Sequence, residues 1–389
     1  MSISFEWDKE QLAFKEATIA FAQQELNGNL REQDRTSSFD RMAWQACADY
    51  GILGWPISKV YGGMELDCLT IMLALEGLGY GCRDNGLVFV INNHVWSCEI
   101  PILHFGTPAQ KQRYLPDLCR GTLIGAHALT EPSSGSAAFA MQTTAVRHQD
   151  RYVLNGTKTF ISNAPIADVF ITFARTDPAV GAERGVSAFI IRRDFPGLMI
   201  GKEWEKAGLR TAPMGELSFH DCAVPADHRL GSEGAGYRIF QSTIEWERGF
   251  FFASQVGVME RILEQCIRYA RERKQFDRPI GSFQAISHKI ADMKLRLELA
   301  KLILYKLAWL KQEGRIAFLE ASLAKLFISQ GLVQTCLDAI QIHGARGYMT
   351  ESELEREQRD AMAGTIYAGT SEIQRGIVAN LLGVGASLA

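Results

Sequence analysis

The sequence predicts an α+β protein of three regions: an N-terminal all-α domain over 1–122, a middle β-barrel or sandwich over 123–232, and a C-terminal helical bundle over 233–389. Chain length and two changes of hydrophobic period point there. At 389 residues and 47% hydrophobic content the chain exceeds one ordinary core, so two or three packed regions are expected.

Up to about Thr122 apolar residues recur at helical spacing, as in Leu12, Ala13, Ile19 and Ala20, then Trp44, Cys47 and Ala48. Gly51, Tyr61-Gly62-Gly63 and Gly106-Thr107-Pro108 break the helices, and Tyr61-Gly62-Gly63 reads as a tight turn that glycine makes at little cost. From Leu123 to Gly231 the period shortens. Tyr152–Leu154, Val169–Phe173 and Val186–Ile191 are β-branched and aromatic runs, separated by the turn signals Asn155-Gly156, Asp177-Pro178 and Pro196-Gly197. An antiparallel barrel or sandwich is expected. After Gly236 helical stripes return: Met259, Ile262, Cys266, Ile267 and Ala270; then Ile286, Ile290, Met293, Leu297 and Leu304; then Leu319, Leu323, Leu326, Val333, Leu337 and Ile340. Long helices with such stripes pack as a bundle.

Composition narrows function. With 22% charged residues and a net charge of -3, nothing favours nucleic acid or a membrane surface. No apolar run reaches the roughly 20 residues needed to span a bilayer, and the N-terminus lacks the basic and apolar segments of a secretory signal, so a cytoplasmic location is expected. The eight cysteines (Cys47, Cys68, Cys82, Cys98, Cys119, Cys222, Cys266, Cys336) form no CxxC pair and have no histidine at ligand spacing. Buried free thiols are expected, and no metal site.

Several segments carry candidate chemistry. Leu129-Thr130-Glu131-Pro132-Ser133-Ser134-Gly135-Ser136 combines small hydroxyls with a glycine, which lets backbone N–H groups approach a ring edge or a phosphate; alone it is a capped turn. Asn155–Asn163 reads as a hairpin turn leading into a strand whose alternation puts Phe160 and Ser162 on one face. Alone, Phe160 is a core residue. Arg271-Glu272-Arg273-Lys274-Gln275-Phe276 closes a long helix, where cations complement the dipole, and Phe283-Gln284 opens the next. Gln341–Tyr348 stops a helix in glycine turns, with His343 a packing histidine when taken alone. In Ile244-Glu245-Trp246-Glu247-Arg248-Gly249 the two glutamates lie about 200° apart on a helix, so only one can face a site. Gly249 costs about 1 kcal/mol in a helix, which points to a close approach or a bend. Gly231–Gly236 does not match GxGxxG and reads as a turn into the helix, which argues against a nicotinamide enzyme.

In this order, and with Ile366-Tyr367-Ala368-Gly369-Thr370-Ser371-Glu372-Ile373-Gln374-Arg375 near the end, the segments resemble the acyl-CoA dehydrogenase family over nearly the whole chain. The resemblance implies a helical, β and four-helix-bundle architecture and an FAD-dependent dehydrogenase of acyl thioesters. It implies flavin contacts from His127, Leu129, Thr130, Gly135 and Ser136, and from Phe160, Ile161 and Ser162, with Phe160 on the isoalloxazine ring and Ser162 near its N5. Thr370, Ser371 and Glu372 match further flavin contacts. Arg273 and Gln284 match residues that reach the FAD of a neighbouring subunit, Phe276 beside them matches a further cofactor contact, and Gln341, Gly344 and Ala345 match the adenine-side phosphate contacts across an interface. A homotetramer is thereby implied. Ser136, Trp246, Arg248, Ala368 and Gly369 match the substrate side.

The chain departs from the family pattern at Ala137, usually Asp, at Phe160 and Ser162, usually Trp and Thr, and at Asp277 and Ala345, usually Gly. The largest departure is Ala368, where many members carry the catalytic glutamate. Other members carry that base on an earlier helix, before an arginine, and Glu247 falls on that position. Glu247 is therefore the expected base for the α proton, with the flavin accepting the β hydride. A narrower resemblance, on Gly86-Leu87-Val88-Phe89 with His94, on Asn163–Asp168 and on Trp246-Glu247-Arg248, is to dehydrogenases of a prolyl group on a peptidyl carrier protein. Asn92, Asn93, His94 and Trp246 would then supply a polar pocket for the ring amine, or, read from the residues alone, equally be helix and core residues. Carrier protein and CoA share the phosphopantetheine arm, so a branched, medium or long acyl-CoA remains the alternative. An electron-transferring flavoprotein or oxygen is the expected electron acceptor. A flavin oxidase or monooxygenase, or a relative that only binds flavin, are the rival readings.

Overall fold

The computed structural model describes residues 7–385. The first region contains α1 (Lys9–Glu25), α2 (Leu30–Thr36), α3 (Arg41–Asp49), α4 (Cys68–Gly81), α5 (Asn85–His94), α6 (Ile100–Phe105) and α7 (Pro108–Cys119). Side chains of Asp8, Asp40, Asp67, Asp84 and Thr107 accept hydrogen bonds from the first free N–H groups, which sets where α1, α3, α4, α5 and α7 begin. A π-helical turn, Val95–Glu99, joins α5 to α6. Contrary to expectation, the continuous stretch Asn85–Phe105 is long and apolar enough to span a bilayer; 89% of its most apolar window is buried inside the protein, the environment of a core helix. Asn92, Asn93, His94 and Glu99 interrupt the run in sequence and hide its length.

The middle region contains β1 (Gly125–Ala128), β2 (Thr144–His148), β3 (Arg151–Ser162), β4 (Val169–Arg175), the short α8 (Ala182–Gly185), β5 (Val186–Arg192), β6 (Leu198–Glu203), β7 (Met214–Pro225) and β8 (Arg229–Leu230). The strands form one sheet in the order β6-β7-β3-β2-β4-β5-β8, with β1 also beside β4. The sheet is mixed, not wholly antiparallel: β1 runs parallel to β4, and β2 meets β4 in a parallel bridge. β1 arrives from the helical region instead of through a hairpin, so nothing forces it antiparallel. Asn155-Gly156 is not a hairpin turn either. Both residues lie inside β3, where Gly156 takes φ 147° and the pairing with β7 slips between Leu154 and Gly156. The dipeptide marks a bulge, and the chain reverses instead at Gln149-Asp150, where Gln149 has φ 53°. Asp177-Pro178 and Pro196-Gly197 do fall between strands.

The last region contains α9 (Gly236–Glu272), a small hairpin of β9 (Lys274–Gln275) and β10 (Arg278–Pro279), α10 (Gln284–Gln312), α11 (Phe318–His343), α12 (Ala345–Tyr348), α13 (Leu354–Ala363) and α14 (Ser371–Leu381). Arg271 is the basic residue of α9's last turn; Arg273 is already the cap, and the segment expected to finish the helix turns into the hairpin. The third apolar stripe is a flank, with Leu337 46% exposed, while Ala321, Ala324, Ile328, Leu332, Cys336 and Ala339 form the buried face of α11. Small residues there let α9 and α11 approach closely, so the larger ones fall to the side. α9 runs unbroken through Gly249, where an added Cβ would come within 2.5 Å of Leu307. The glycine serves a close approach of α10.

A buried polar network ties the three regions together. Asp84 accepts from Thr211 at 2.5 Å, Asp360 accepts from the Leu209 N–H at 2.6 Å, and Asn85 donates to Glu357 at 2.8 Å and Asp360 at 3.0 Å. The cysteines are free, and all but Cys68 are buried. Among the described residues no cluster of His, Cys, Asp or Glu could hold a metal ion.

Candidate active site

The geometry of α9 separates the two glutamates as helical spacing requires. Glu245 accepts from the Ala317 N–H at 2.7 Å and pairs with Lys311 at 3.3 Å, which fastens the start of α11. Glu247 faces the other way and is 8% exposed. Burial pushes its carboxyl up to about 7, while the Ser97 hydroxyl on the π-helical turn and the neighbouring Arg248 pull it back. A buried carboxylate poised near neutrality suits a general base. Ser97 was not singled out in the sequence; a π turn, which re-aims side chains, leaves no sequence mark.

Arg248 links the Glu247 segment to the C-terminal turn. Its Nε donates to the Ala368 carbonyl at 3.2 Å, and Gln374 Nε2 donates to the carbonyls of Ala368 at 3.0 Å and Gly369 at 3.1 Å. Ala368 and Gly369 take φ of 55° and 90°, a left-handed turn that is strained at an alanine and is over-determined by these bonds. Thr370 caps α14 by accepting from the Ile373 N–H at 3.3 Å, and the buried Ser371 Oγ has no partner among the described residues. Glu372 is exposed beside them.

On the sheet side, a buried ion pair shapes the loop Leu129–Ser136. Lys158 Nζ donates to Glu131 at 2.8 Å and to the Leu129 carbonyl at 3.0 Å, and Glu131 accepts from the N–H groups of Gln142 and Thr143 at 2.5 and 3.0 Å. The Thr159 N–H donates to the Thr130 carbonyl at 2.9 Å, which lays the loop on β3. Gly135 and Ser136 stand at its exposed tip. Phe160 has φ 56° beside a slip in the β3–β7 register, so its ring turns outward, 54% exposed and 5.0 Å from Trp204. Ile161 points into the core, and Ser162 returns to the side of Phe160, half-buried. The His127 Nε2 is buried without a partner among the described residues, and burial with the nearby Lys158 holds the imidazole down to about 4, hence neutral. An outward aromatic face, a neutral imidazole nitrogen and the free hydroxyl of Ser371 fit a flavin cofactor.

Arg273, Phe276, Gln284, Gln341, Gly344 and Ala345 gather elsewhere, at the exposed far end of the bundle. His343 stacks on Tyr269 at 4.1 Å and so brings the end of α11 to the end of α9. Along α9, Tyr269 lies about 33 Å from Glu247 at 1.5 Å per residue. Phe276 and Asp277 form the hairpin tip with φ of 51° and 61°. Asp is among the few residues that tolerate this region, so Asp277 replaces glycine cheaply. Ala345 begins α12; the left-handed position is Gly344, with φ 60°.

One turn beyond Glu247 a chamber of about 40 Å³ opens, with Asn85, Phe89, Asn92, Phe251, Asp360 and Tyr367 in its wall. Glu247, Phe251, Gln255 and Val258 share one face of α9, and Tyr367 precedes Ala368, so the chamber lies along the helix face that carries Glu247. Of the four residues expected to form a polar pocket, the structure puts Asn92 in the chamber wall. His94 is a core histidine: its Nδ1 accepts from the Gly125 N–H at 2.9 Å and its Nε2 faces Glu99 at 3.2 Å. Trp246 turns away from Glu247 to stack on Trp96 at 6.1 Å, with Lys311 4.4 Å above its ring. Asn93 is buried with its Oδ1 lacking a partner among the described residues.

Family models for the acyl-CoA dehydrogenase N-terminal, middle and C-terminal domains match residues 8–122, 126–222 and 234–383. An L-prolyl-[peptidyl-carrier protein] dehydrogenase of Pseudomonas fluorescens is 44% identical over 345 residues, 88% of this chain and 90% of the relative. The crystal structure of the prolyl acyl carrier protein oxidase AnaB is 53% identical with a TM-score of 0.96, covering 97% of this chain and 100% of that one. The structure of PigA with FAD and proline is 40% identical with a TM-score of 0.96, covering 98% and 100%. With all three domains matched in order and relatives this similar along almost its full length, the chain belongs to the acyl-CoA dehydrogenase family and is an FAD-dependent oxidoreductase.

Proposed function

We propose that this enzyme dehydrogenates a prolyl-like aminoacyl group held as a thioester on a carrier protein, with Glu247 as the base that removes the α proton. The single observation that supports this most is a buried carboxylate, raised to about 7, beside a compact chamber, in a chain whose other family base position is Ala368. FAD, when bound, would supply the two-electron acceptor for the β hydrogen. The protein does the rest: Arg248 and Gln374 hold the Ala368-Gly369 turn, whose backbone polarises the thioester carbonyl, and burial keeps water from Glu247. Phe160, Ser162, His127, Thr130 and Ser371 position the flavin, and Ser136 with the Ala368-Gly369 turn flanks the thioester. The chamber is small, about 40 Å³, which favours a compact acyl group over a long chain.

The far cluster around Arg273, Gln284 and Gln341 lies farther from Glu247 than one flavin dinucleotide extends, so we infer that it serves another subunit of a homotetramer. The exposed stripe Leu295, Leu299 and Leu302 on α10 supplies apolar surface for that assembly. The deciding experiment adds prolyl-loaded carrier protein and a panel of acyl-CoAs anaerobically to the flavin-loaded enzyme and follows bleaching of the flavin. Bleaching by the prolyl carrier is expected; bleaching only by a fatty acyl-CoA refutes the substrate assignment. Peroxide yield in air, set against reduction of an electron-transferring flavoprotein, identifies the electron acceptor.

A further inference from the structure

The π-helical turn Val95–Glu99 carries a side-chain contact that only its own geometry allows. The Ile100 N–H donates to the Val95 carbonyl, five residues back, where an α-helix reaches back four. His94 and Glu99 are also five apart. On an α-helix that spacing turns two side chains about 140° from one another, so they cannot meet. Here the His94 Nε2 lies 3.2 Å from Glu99 Oε1, and both side chains are fully buried. The ring is held from three sides. Its Nδ1 accepts from the Gly125 N–H of β1 at 2.9 Å, which leaves the proton on Nε2; Nε2 also lies 3.2 Å from the Leu118 carbonyl of α7, and Trp44 packs edge-on at 5.1 Å. Apart from the buried Cys119 thiol, this imidazole is the polar group that faces Glu99 among the described residues. The other side of the turn meets α9. Trp96 stacks on Trp246 at 6.1 Å and packs on Phe250 at 4.4 Å, on either side of Glu247 in the chain. Next to it Ser97, 2% exposed, gives its hydroxyl to the Glu247 carboxylate. One residue is worth about 100° of helix, so tightening this turn to α geometry would swing Ser97 away from Glu247.

We propose that His94 and Glu99 are positioning residues for proton abstraction: their contact across the five-residue step keeps the turn open, and the open turn keeps the Ser97 hydroxyl on Glu247. This rests on Glu247 as the base. Neither residue touches the reacting atoms; both are buried against β1 and α7. The groups that act on the Glu247 carboxyl directly are Ser97 from the turn and Arg248 from α9. Cys98 and Cys119, which flank the pair, are thiols that burial pushes up and keeps uncharged. Loss of the His94–Glu99 contact therefore reaches Glu247 through the direction in which Ser97 points.

The experiment follows anaerobic bleaching of the flavin-loaded enzyme against pH, with prolyl-loaded carrier protein or whichever acyl thioester reduces it. Ser97→Ala sets the scale: losing a hydrogen bond to a charged group should raise the midpoint by about one pH unit. Glu99→Leu, which keeps bulk and removes the oxygens, should raise it by a similar amount. Glu99→Gln, which keeps an oxygen facing His94, should stay near the wild type. Glu99→Leu combined with Ser97→Ala should go no further than Ser97→Ala alone. His94→Asn keeps an acceptor for the Gly125 N–H but is too short to reach Glu99, and it gives the same reading should Glu99→Leu fail to fold. An unmoved midpoint in Glu99→Leu or His94→Asn, with Ser97→Ala displaced, overturns the proposal, as do displacements that add in the double variant. If Ser97→Ala itself leaves the midpoint in place, the proposal falls while Glu247 stands as the base. Wild-type bleaching in Glu247→Gln removes both.

Discussion

Replacing Glu247 by glutamine removes the proton-accepting charge and leaves size and hydrogen-bonding shape nearly unchanged. Burial lifts this carboxyl from 4.5 to about 7. Loss of a positioned base lowers rates by about 10²- to 10⁴-fold, so anaerobic stopped-flow of flavin bleaching should slow by at least that range. In the intact enzyme the reactive form is the carboxylate; bleaching should rise with pH, from about a tenth of its maximum at pH 6 to about nine-tenths at pH 8. Stability moves oppositely. A raised folded-state value means that, between pH 4.5 and 7, the unfolded chain gives up this proton while the folded one keeps it. The intact protein therefore loses up to about 3 kcal/mol from this group as pH rises through that window, and nothing further above it. Glutamine carries no such term, so Glu247→Gln should gain on the wild type by up to about 3 kcal/mol between pH 4.5 and 8, measurable by denaturant unfolding at both ends. Flavin bleaching at the wild-type rate would refute Glu247 as the base. A stability difference flat in pH would refute the burial that raises it.

Ser97→Ala removes a hydroxyl that favours the carboxylate, so the pH profile of bleaching should move upward, and a profile that stays in place would remove Ser97 from the site. Moving the base, with Glu247→Ala and Ala368→Glu together, should recover part of the bleaching lost in Glu247→Ala alone; a folded, flavin-loaded but inert double variant would show that the two positions are not interchangeable. Lys158→Met leaves Glu131 buried without its cation and should cost about 3–5 kcal/mol, read as a lower unfolding midpoint together with weaker flavin retention, since the Leu129–Ser136 loop hangs on that pair.

Much of the architecture was legible because it depends on local periodicity. Helical stripes flank a β-branched middle, and caps such as Asp40, Asp67 and Thr107 set helix starts from within a turn. Local signals failed where a distant neighbour decided the outcome. Asn155-Gly156 has the chemistry of a hairpin turn, but pairing with β7 on one side and the nearness of Thr143 to Gly156 make it a bulge. The large residues of α11 mark a flank because close approach of α9 selects its small residues for the interior.

For the site, the sequence by itself determined the chemistry on offer: a carboxylate at Glu245 and Glu247, none at Ala368, and a family resemblance that proposes Glu247 as base and residues of β3 and α14 as flavin contacts. Spacing alone also dictated that Glu245 and Glu247 part company, since a helix turns a fixed angle per residue. Only the tertiary structure decided the rest. It sent Trp246 away from the chamber and made His94 a core residue, because both find aromatic or hydrogen-bonding partners on elements remote in sequence. It brought Ser97 to Glu247, and Phe89, Phe251, Tyr367 and Asp360 around one small space. Burial and proximity between segments far apart in the chain raise the acids of Glu247 and Asp360 alike, and neither shift exists until α5, α9 and α13 are packed together.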